Sequence, residues 1–330
     1  MRITGKNIKG LVIISMILFS ASCRKNGVCE QNLDTNSIED CPGCEPLAPW
    51  SGGMFDQTYH DSISYCSPLF NPNNNDEIIF LQYNEPYSLT PSLYKLNLIT
   101  GEKTFIYEGP LSGIDITWGD DDWILLPLTD HQIWKIKSDG SNLTQVTTDG
   151  KWFHPVFNPD GNRFVAWRGY VNNNSENYRY KIWDMNGNVI DSFFLQECLV
   201  AKWSNTGFGG TNSTEDIIVM DPSSGEIISQ INTPLENYQH FSWISESEAL
   251  ITALKGVFRY NIYSHTFTKL KCHCSSRRFL ISTVNNDQSK VIFQVTEYRR
   301  LEDEPTIMTK SYLVMTNIDG TNEQVIDIPD

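Results

Sequence analysis

Residues 134–147, Trp134-Lys-Ile-Lys-Ser-Asp-Gly-Ser-Asn-Leu-Thr-Gln-Val-Thr, run shortly afterwards into residues 154–167, His154-Pro-Val-Phe-Asn-Pro-Asp-Gly-Asn-Arg-Phe-Val-Ala-Trp. In the first segment two short runs flank Asp139-Gly140. Glycine there supplies the positive φ that a tight hairpin needs. In the second, an apolar run ends at Phe157, reverses through Asn158-Pro-Asp-Gly161, and resumes as Phe164-Val-Ala-Trp167. Short β-branched and aromatic runs between such turns read as strands. One stretch of about forty residues therefore carries two hairpins, the size of one propeller blade.

The same design recurs outward in both directions. Phe70-Asn-Pro-Asn-Asn-Asn, Trp118-Gly-Asp-Asp-Asp, Trp203-Ser-Asn-Thr-Gly and Trp243-Ile-Ser-Glu-Ser each place an aromatic anchor before a polar turn and a strand. Val284-Asn-Asn-Asp-Gln-Ser is the weakest version. Successive anchors lie 48, 39, 46, 40 and 41 residues apart. The second turn recurs at Thr100-Gly101, Asp139-Gly140, Asn186-Gly187, Ser224-Gly225, Ser264-His265 and Asp319-Gly320. Ser264-His265 lacks glycine, so a different turn type is expected there. No long amphipathic helix is evident. The expected fold is all-β, a six-bladed β-propeller of four-stranded antiparallel blades. Its blades span approximately 61–109, 110–150, 151–196, 197–235, 236–275 and 276–330. A single four-stranded sheet exposes two apolar faces, and radial stacking buries them. The anchors Phe70, Trp118, Phe157, Trp203 and Trp243 are accordingly read as core, packed between blades.

The Asn-Pro-Asp-Gly turn followed by an apolar strand resembles the repeat of TolB-like propellers. The resemblance is sharp at 132–168, partial at 68–80 and 316–328, and carried by spacing elsewhere in 61–330. It implies a six-bladed ring whose mouth binds peptide segments of partner proteins. It carries His154-Pro155 over directly as a mouth position.

The N-terminus reads as an export signal. Arg2, Lys6 and Lys9 precede the short apolar run Leu11–Phe19, then small residues and Cys23. Residues 1–22 resemble a bacterial lipoprotein signal peptide, which implies lipidation of Cys23. Ser20 stands where that signal usually has Leu. Residues 23–60 are polar and read as a tether. No other stretch approaches the ~18 apolar residues of a membrane span, so membrane attachment is expected through lipidated Cys23 only. The expected location is a bacterial cell envelope, lipid-anchored in the outer membrane. The formal net charge of −15 disfavours nucleic acid as a partner. After export, disulfides are permitted; Cys29, Cys41, Cys44, Cys66, Cys272 and Cys274 are the candidates. Cys41-Pro-Gly-Cys44 and Cys272-His-Cys274 could also ligate zinc, but oxidation is the preferred reading, with no metal and no cofactor expected. Asp120-Asp-Asp122 is read as a solvated turn rather than a calcium site.

No G-x-S-x-G elbow, H-E-x-x-H, P-loop or G-x-G-x-x-G occurs, and no catalytic residue is assigned. Counting three residues back from each anchor gives positions near the axial mouth: Ser67, Asp115, His154, Val200, His240 and Ile281. Ser67, Asp115, His154 and His240 are the candidate binding residues. The expectation is a monomeric, non-catalytic scaffold that recognises an envelope protein or peptide at the mouth or on the loop face. Long insertions at Tyr170–Tyr180 and Arg299–Thr306 would enlarge that face. The alternative is an envelope enzyme acting on a polysaccharide or small substrate at the axis.

Overall fold

A computed structural model describes residues 21–23, 29–31, 63–84, 90–168, 178–195, 202–205, 207–211, 217–221, 226–231, 240–253, 255–274, 276–299 and 307–329. Most of the signal and tether, and most of both long insertions, lie outside these residues. Among the described residues there is no helix, and so none long and apolar enough to cross a membrane.

Strands β1 (Ala21–Cys23) and β2 (Cys29–Gln31) form a small hairpin. The remaining strands follow a repeating up-and-down order. The first set is β3 (Ser64–Asn71), β4 (Asn74–Tyr83), β5 (Ser92–Asn97) and β6 (Lys103–Glu108). The second is β7 (Thr117–Trp118), β8 (Trp123–Pro127), β9 (Ile133–Lys137) and β10 (Thr144–Gln145). The third is β11 (Trp152–Phe157), β12 (Arg163–Arg168), β13 (Tyr178–Asp184) and β14 (Val189–Leu195). The fourth is β15 (Lys202–Trp203), β16 (Phe208–Thr211), β17 (Ile217–Met220) and β18 (Ile227–Ile231). The fifth is β19 (His240–Trp243), β20 (Glu248–Ala253), β21 (Gly256–Asn261) and β22 (Thr266–Cys272). The last is β23 (Arg277–Val284), β24 (Lys290–Arg299), β25 (Ile307–Asn317) and β26 (Gln324–Val325).

The second to fifth sets are separate four-stranded antiparallel sheets, the blades of an all-β propeller. Six separate sheets were the expectation, and here the structure differs. The first and last sets belong to one eight-stranded sheet, joined where Ser311 pairs in parallel with Ser64. The physical reason is length: β24 and β25 run to 10 and 11 residues, which carries the start of β25 alongside the start of β3. The Ser311 hydroxyl then donates to the Tyr65 carbonyl at 3.0 Å.

Burial explains why these sequences form these sheets. Ile78, Ile79 and Phe80 of β4 are all fully buried, although successive side chains of a strand point to opposite faces. Both faces of the sheet are therefore covered. Ile79 and Leu81 pack with Ile116, Trp118 and Ile124 of the second set, while Ile78 and Phe80 pack with Ile292 and Leu313 of the last. Each further junction has its own apolar cluster, from Leu125 against Phe164 through Tyr180 against Phe208 and Ile217 against Phe241 to Leu250 against Phe293. At roughly 1.5–3 kcal/mol for each large side chain buried, these clusters are the main stabilising term. Phe70, Trp118, Phe157, Trp203, Trp243 and Val284 all lie at or next to the end of the first strand of their set.

The turns that follow the anchors touch one another. The Asn286 amide N–H donates to Asn75 Oδ1 at 3.0 Å, and its side-chain amide contacts the Pro72 carbonyl. Asn73 donates to the Asp120 carbonyl, and Asn205 to Glu246 Oε1 at 3.4 Å. At the 264–265 turn, the expected change of turn type is not found: His265 itself adopts φ +55°, where the equivalent glycines 101, 140, 187 and 320 take +72° to +86°. Asn261 Oδ1 accepts from the Tyr263 and Ser264 amides, and the His265 ring bonds Tyr260 Oη at 2.9 Å. These contacts hold a residue other than glycine in the left-handed region.

Candidate functional site

The first strand of three sets is bulged at the same place. Register shifts fall between Cys66 and Leu69, Phe153 and Val156, and Phe279 and Ser282. In β3 and β11 the bulge is built on a residue followed by proline, Ser67-Pro68 and His154-Pro155. Ser67 has φ +51° and His154 φ +49°. The left-handed region is unfavourable for such residues by roughly 1 kcal/mol, and bulges re-aim side chains near functional sites.

His154 stacks on Trp167 at 5.2 Å with an interplanar angle of 7°, and its Nδ1 is in contact with Asp115 Oδ2 from the connection before β7. Phe153 and His131 continue the rings along this rim, 5.8 Å from Trp167 and 5.2 Å from each other respectively. Burial alone would raise the Asp115 pKa, but the His154 contact and the positive charge of Lys202 hold it at about 2. Lys202 opens β15. Burial lowers its pKa, and Asp115 opposes the change. His240 opens β19 and is buried. Burial first, then Lys202, pushes its pKa down to about 3. Its Nδ1 accepts from the Ser282 amide at 3.4 Å, so the neutral ring carries its proton on Nε2.

Four of the residues picked from sequence are thus placed as follows. Asp115 and His154 touch; His240 acts electrostatically on Asp115 and pins the bulge of β23; Ser67 lies buried in the bulge of β3. Val200 lies outside the described residues, and Ile281 sits within the β23 bulge. Sequence reasoning missed Lys202 and Ser282. The signal for Lys202 was present as a lone cation beside the anchor Trp203. Ser282 gave none, because its position depends on the bulge.

The cysteines bring one correction. Cys66, a disulfide candidate, is a free buried thiol, its pKa pushed to about 12 by burial. It packs in the apolar cluster between the first and second sets. Cys272 and Cys274 are both disulfide-bonded. The tether cysteines 41 and 44 lie outside the described residues. Among the described residues no group of three or more His, Cys, Asp or Glu could hold a metal. A cavity of about 410 Å³ lies between Leu96–Gly101 and Gln324–Asp327, with Asp327 as its one acidic lining residue.

The chemistry open to the cluster is limited. A carboxylate on imidazole Nδ1 is the orienting half of a nucleophile–base arrangement. The other half is not assembled: among the described residues no hydrogen bond joins His154 to the buried Ser67 or Ser282 hydroxyl. Paired carboxylates for glycoside hydrolysis are not formed here either, Asp115 being the one acidic side chain of the described cluster.

Among solved structures, a protein assigned as TolB from Agrobacterium tumefaciens is similar, with TM-score 0.56, 13% identity, and 72% of this chain and 88% of that chain covered. An oligogalacturonate lyase from Vibrio parahaemolyticus aligns with TM-score 0.50 and 13% identity over 78% of this chain and 75% of that one. Pyrococcus horikoshii acylaminoacyl peptidase aligns with TM-score 0.50 and 12% identity over 80% of this chain and 52% of the enzyme. Neither a family's sequence model nor a curated protein matches the chain. At these identities the likeness establishes the propeller fold, which the three proteins put to different uses.

Proposed function

We propose that the protein is a lipid-anchored, non-catalytic binding scaffold of a bacterial cell envelope, a six-bladed TolB-like propeller that recognises a protein or peptide segment at its mouth. Reading six blades means counting the eight-stranded sheet as two, and the six interfacial apolar clusters support that count. The observation that carries the binding reading is the axial cluster. Side chains from different sheets meet at one end of their first strands, held by bulges, without an assembled nucleophile or carboxylate pair. The same end carries the connection between β12 and β13, since Arg168 at the end of β12 pairs with Trp152 at the start of β11. Long loops at such an end give a recognition surface on a rigid frame.

Attachment would be through Cys23, with export by residues 1–22 and the outer membrane as destination. Mass spectrometry of the mature N-terminus tests this; an unmodified peptide beginning elsewhere removes the lipid anchor. Cys272 ends β22 opposite Gly256, on the mouth side. We place at least one tether cysteine, from Cys29, Cys41 and Cys44, in a disulfide with Cys272 or Cys274, which would fix the tether beside the mouth.

The central experiment is capture from detergent-solubilised envelope by the wild type and by Asp115→Ala with His154→Ala. A partner retained by the wild type and lost by the double variant supports recognition at the mouth. A partner retained equally by both contradicts it. The second reading, an enzyme acting on a polysaccharide at the axis, is favoured by the Asp115–His154 contact and by the likeness to oligogalacturonate lyase. Release of unsaturated or reduced-length products from an acidic polysaccharide, abolished by His154→Ala, would replace the scaffold reading.

A further inference from the structure

The bulges of β3 and β11 are each built on a residue before proline that takes a positive φ. That of β23, Phe279-Leu-Ile-Ser282, has neither a proline nor a residue in the left-handed region, and its hold comes from outside the strand. Leu280 and Ile281 drop out of the ladder with β24. Four backbone groups of the segment are bonded instead by side chains of the fifth set and of the connection that leaves it. Thr252 Oγ1 donates to the Leu280 carbonyl at 3.0 Å, and Ser242 Oγ to the Ser282 carbonyl at 2.6 Å. The two amides have histidine acceptors. Phe279 N–H donates to His273 Nε2 at 3.1 Å, and Ser282 N–H to His240 Nδ1 at 3.4 Å. Both histidines are buried, and the His273 ring lies nearly parallel to that of Phe279, 12° apart in plane.

The two kinds of contact answer differently to acid. A hydroxyl donates to a carbonyl at any pH. A ring nitrogen accepts only while its lone pair is free, and protonation turns it into a donor facing a donor. At both rings, then, taking up a proton and keeping the amide bond exclude each other. The charged groups that face His240 are Lys202 and Asp115. Around His273 lie Lys255, whose carbonyl accepts from the His273 amide, Lys271 and Arg277, whose cations sit over the Phe279 ring at 5.5 and 4.9 Å, and Glu323. Asp115 is engaged by His154, and Glu323 by both Lys271 and Arg277. Cys272 and Cys274 are disulfide-bonded and do not titrate.

We propose that the mouth end of β23 is an acid-released junction: two uncharged histidines hold its bulge against the fifth set, and protonation of either ring frees the amide that it accepts. The last set would loosen from the fifth at the mouth while the apolar cluster behind it stays packed. Opening takes up one proton for each histidine released, so the open population rises about tenfold per pH unit for each, below the ordinary histidine pKa of about 6.5.

The test is amide hydrogen exchange on the full folded chain, followed residue by residue from about pH 7 to about pH 4.5. After correction for the intrinsic pH dependence of exchange, protection of the Phe279 and Ser282 amides should fall about tenfold or more per pH unit. Amides of β8 and β12 should keep theirs. His273→Gln and His240→Asn supply a carbonyl acceptor that does not titrate. Each should remove one such step, and the two together should abolish the pH dependence. Protection that does not vary with pH in the wild type, or an unchanged slope in the double variant, overturns the proposal. So does a loss shared equally by β8 and β12, which is global unfolding. Should the variants fail to fold, ring resonances of the wild type decide. Each histidine should become charged only over the pH range in which its amide loses protection, and a ring that charges while its amide stays protected overturns the junction.

Discussion

His240 shows how a buried titratable residue ties stability to pH. Its folded pKa, about 3, lies below the unfolded value of 6.5. The unfolded chain therefore takes up the proton first, and His240's contribution is fully present above pH 6.5 and lost as pH falls toward 3. Asp115 adds a second loss lower down, between 3.8 and about 2, because its folded pKa is also depressed. Stability should fall by up to about 1.4 kcal/mol per pH unit from His240 alone over the upper window. His240→Asn keeps an acceptor for the Ser282 amide and removes the titration. Its melting temperature should change less between pH 6.5 and 4 than that of the wild type. Parallel profiles for the two proteins would mean that His240 is not the group responsible. Of this residue's two features, its place at the start of a first strand was legible by counting back from Trp243. Its bond to the β23 bulge was not, because nothing local in sequence predicts which neighbour a bulge will offer.

At the scale of strands and turns, the legible features were those dictated by local chemistry. Aromatic anchors before Asn, Asp and Gly turns mark chain reversal wherever they occur, and so the ends of β3, β7, β11, β15 and β19 could be read. The bulges were encoded too, in the matching strings Ser67-Pro-Leu-Phe-Asn-Pro and His154-Pro-Val-Phe-Asn-Pro, but a proline within an innermost strand reads equally well as a strand end. The His265 turn went unread because a side-chain hydrogen bond within its own hairpin, to Tyr260, supports it, and such a bond is not signalled by a turn composition. Gly256 offers a direct test of an element held by glycine. It opens β21 at φ +148°, and a Cβ there would meet the Lys271 carbonyl oxygen at 2.1 Å. That contact is with backbone, so side-chain rotation cannot relieve it. Gly256→Ala should destabilise the protein by about 2–3 kcal/mol, read as a lower denaturant midpoint with an unchanged slope. Wild-type stability in this variant would show that β21 and β22 are less closely paired than described.

For the molecule as a whole, radial packing makes every sheet a partner of two others. Truncation before Arg277 removes β23–β26 and uncovers Leu250 and Val257 on one side and Ile78 and Phe80 on the other. The shortened chain should lose its cooperative transition rather than melt slightly earlier; a transition like that of the full chain would argue against a closed ring. The chain closes on itself through the last and first sets, and among the described residues the backbone pairing there is the Ser311–Ser64 link, supplemented by Asn286 and by Lys103 Nζ donating to the Pro329 carbonyl at 2.6 Å. Unlike every other junction, this seam is crossed by no chain connection, so it is the natural place for breathing. Amide protons of β25 near Ser311 and of β3 near Ser64 should exchange together, through an opening of lower free energy than global unfolding. Denaturant-dependent exchange on the folded protein would report it. If so, the propeller behaves as a split washer: rigid around most of its circumference, with its compliance concentrated at one cut, on the same strand that carries Ser67 to the mouth.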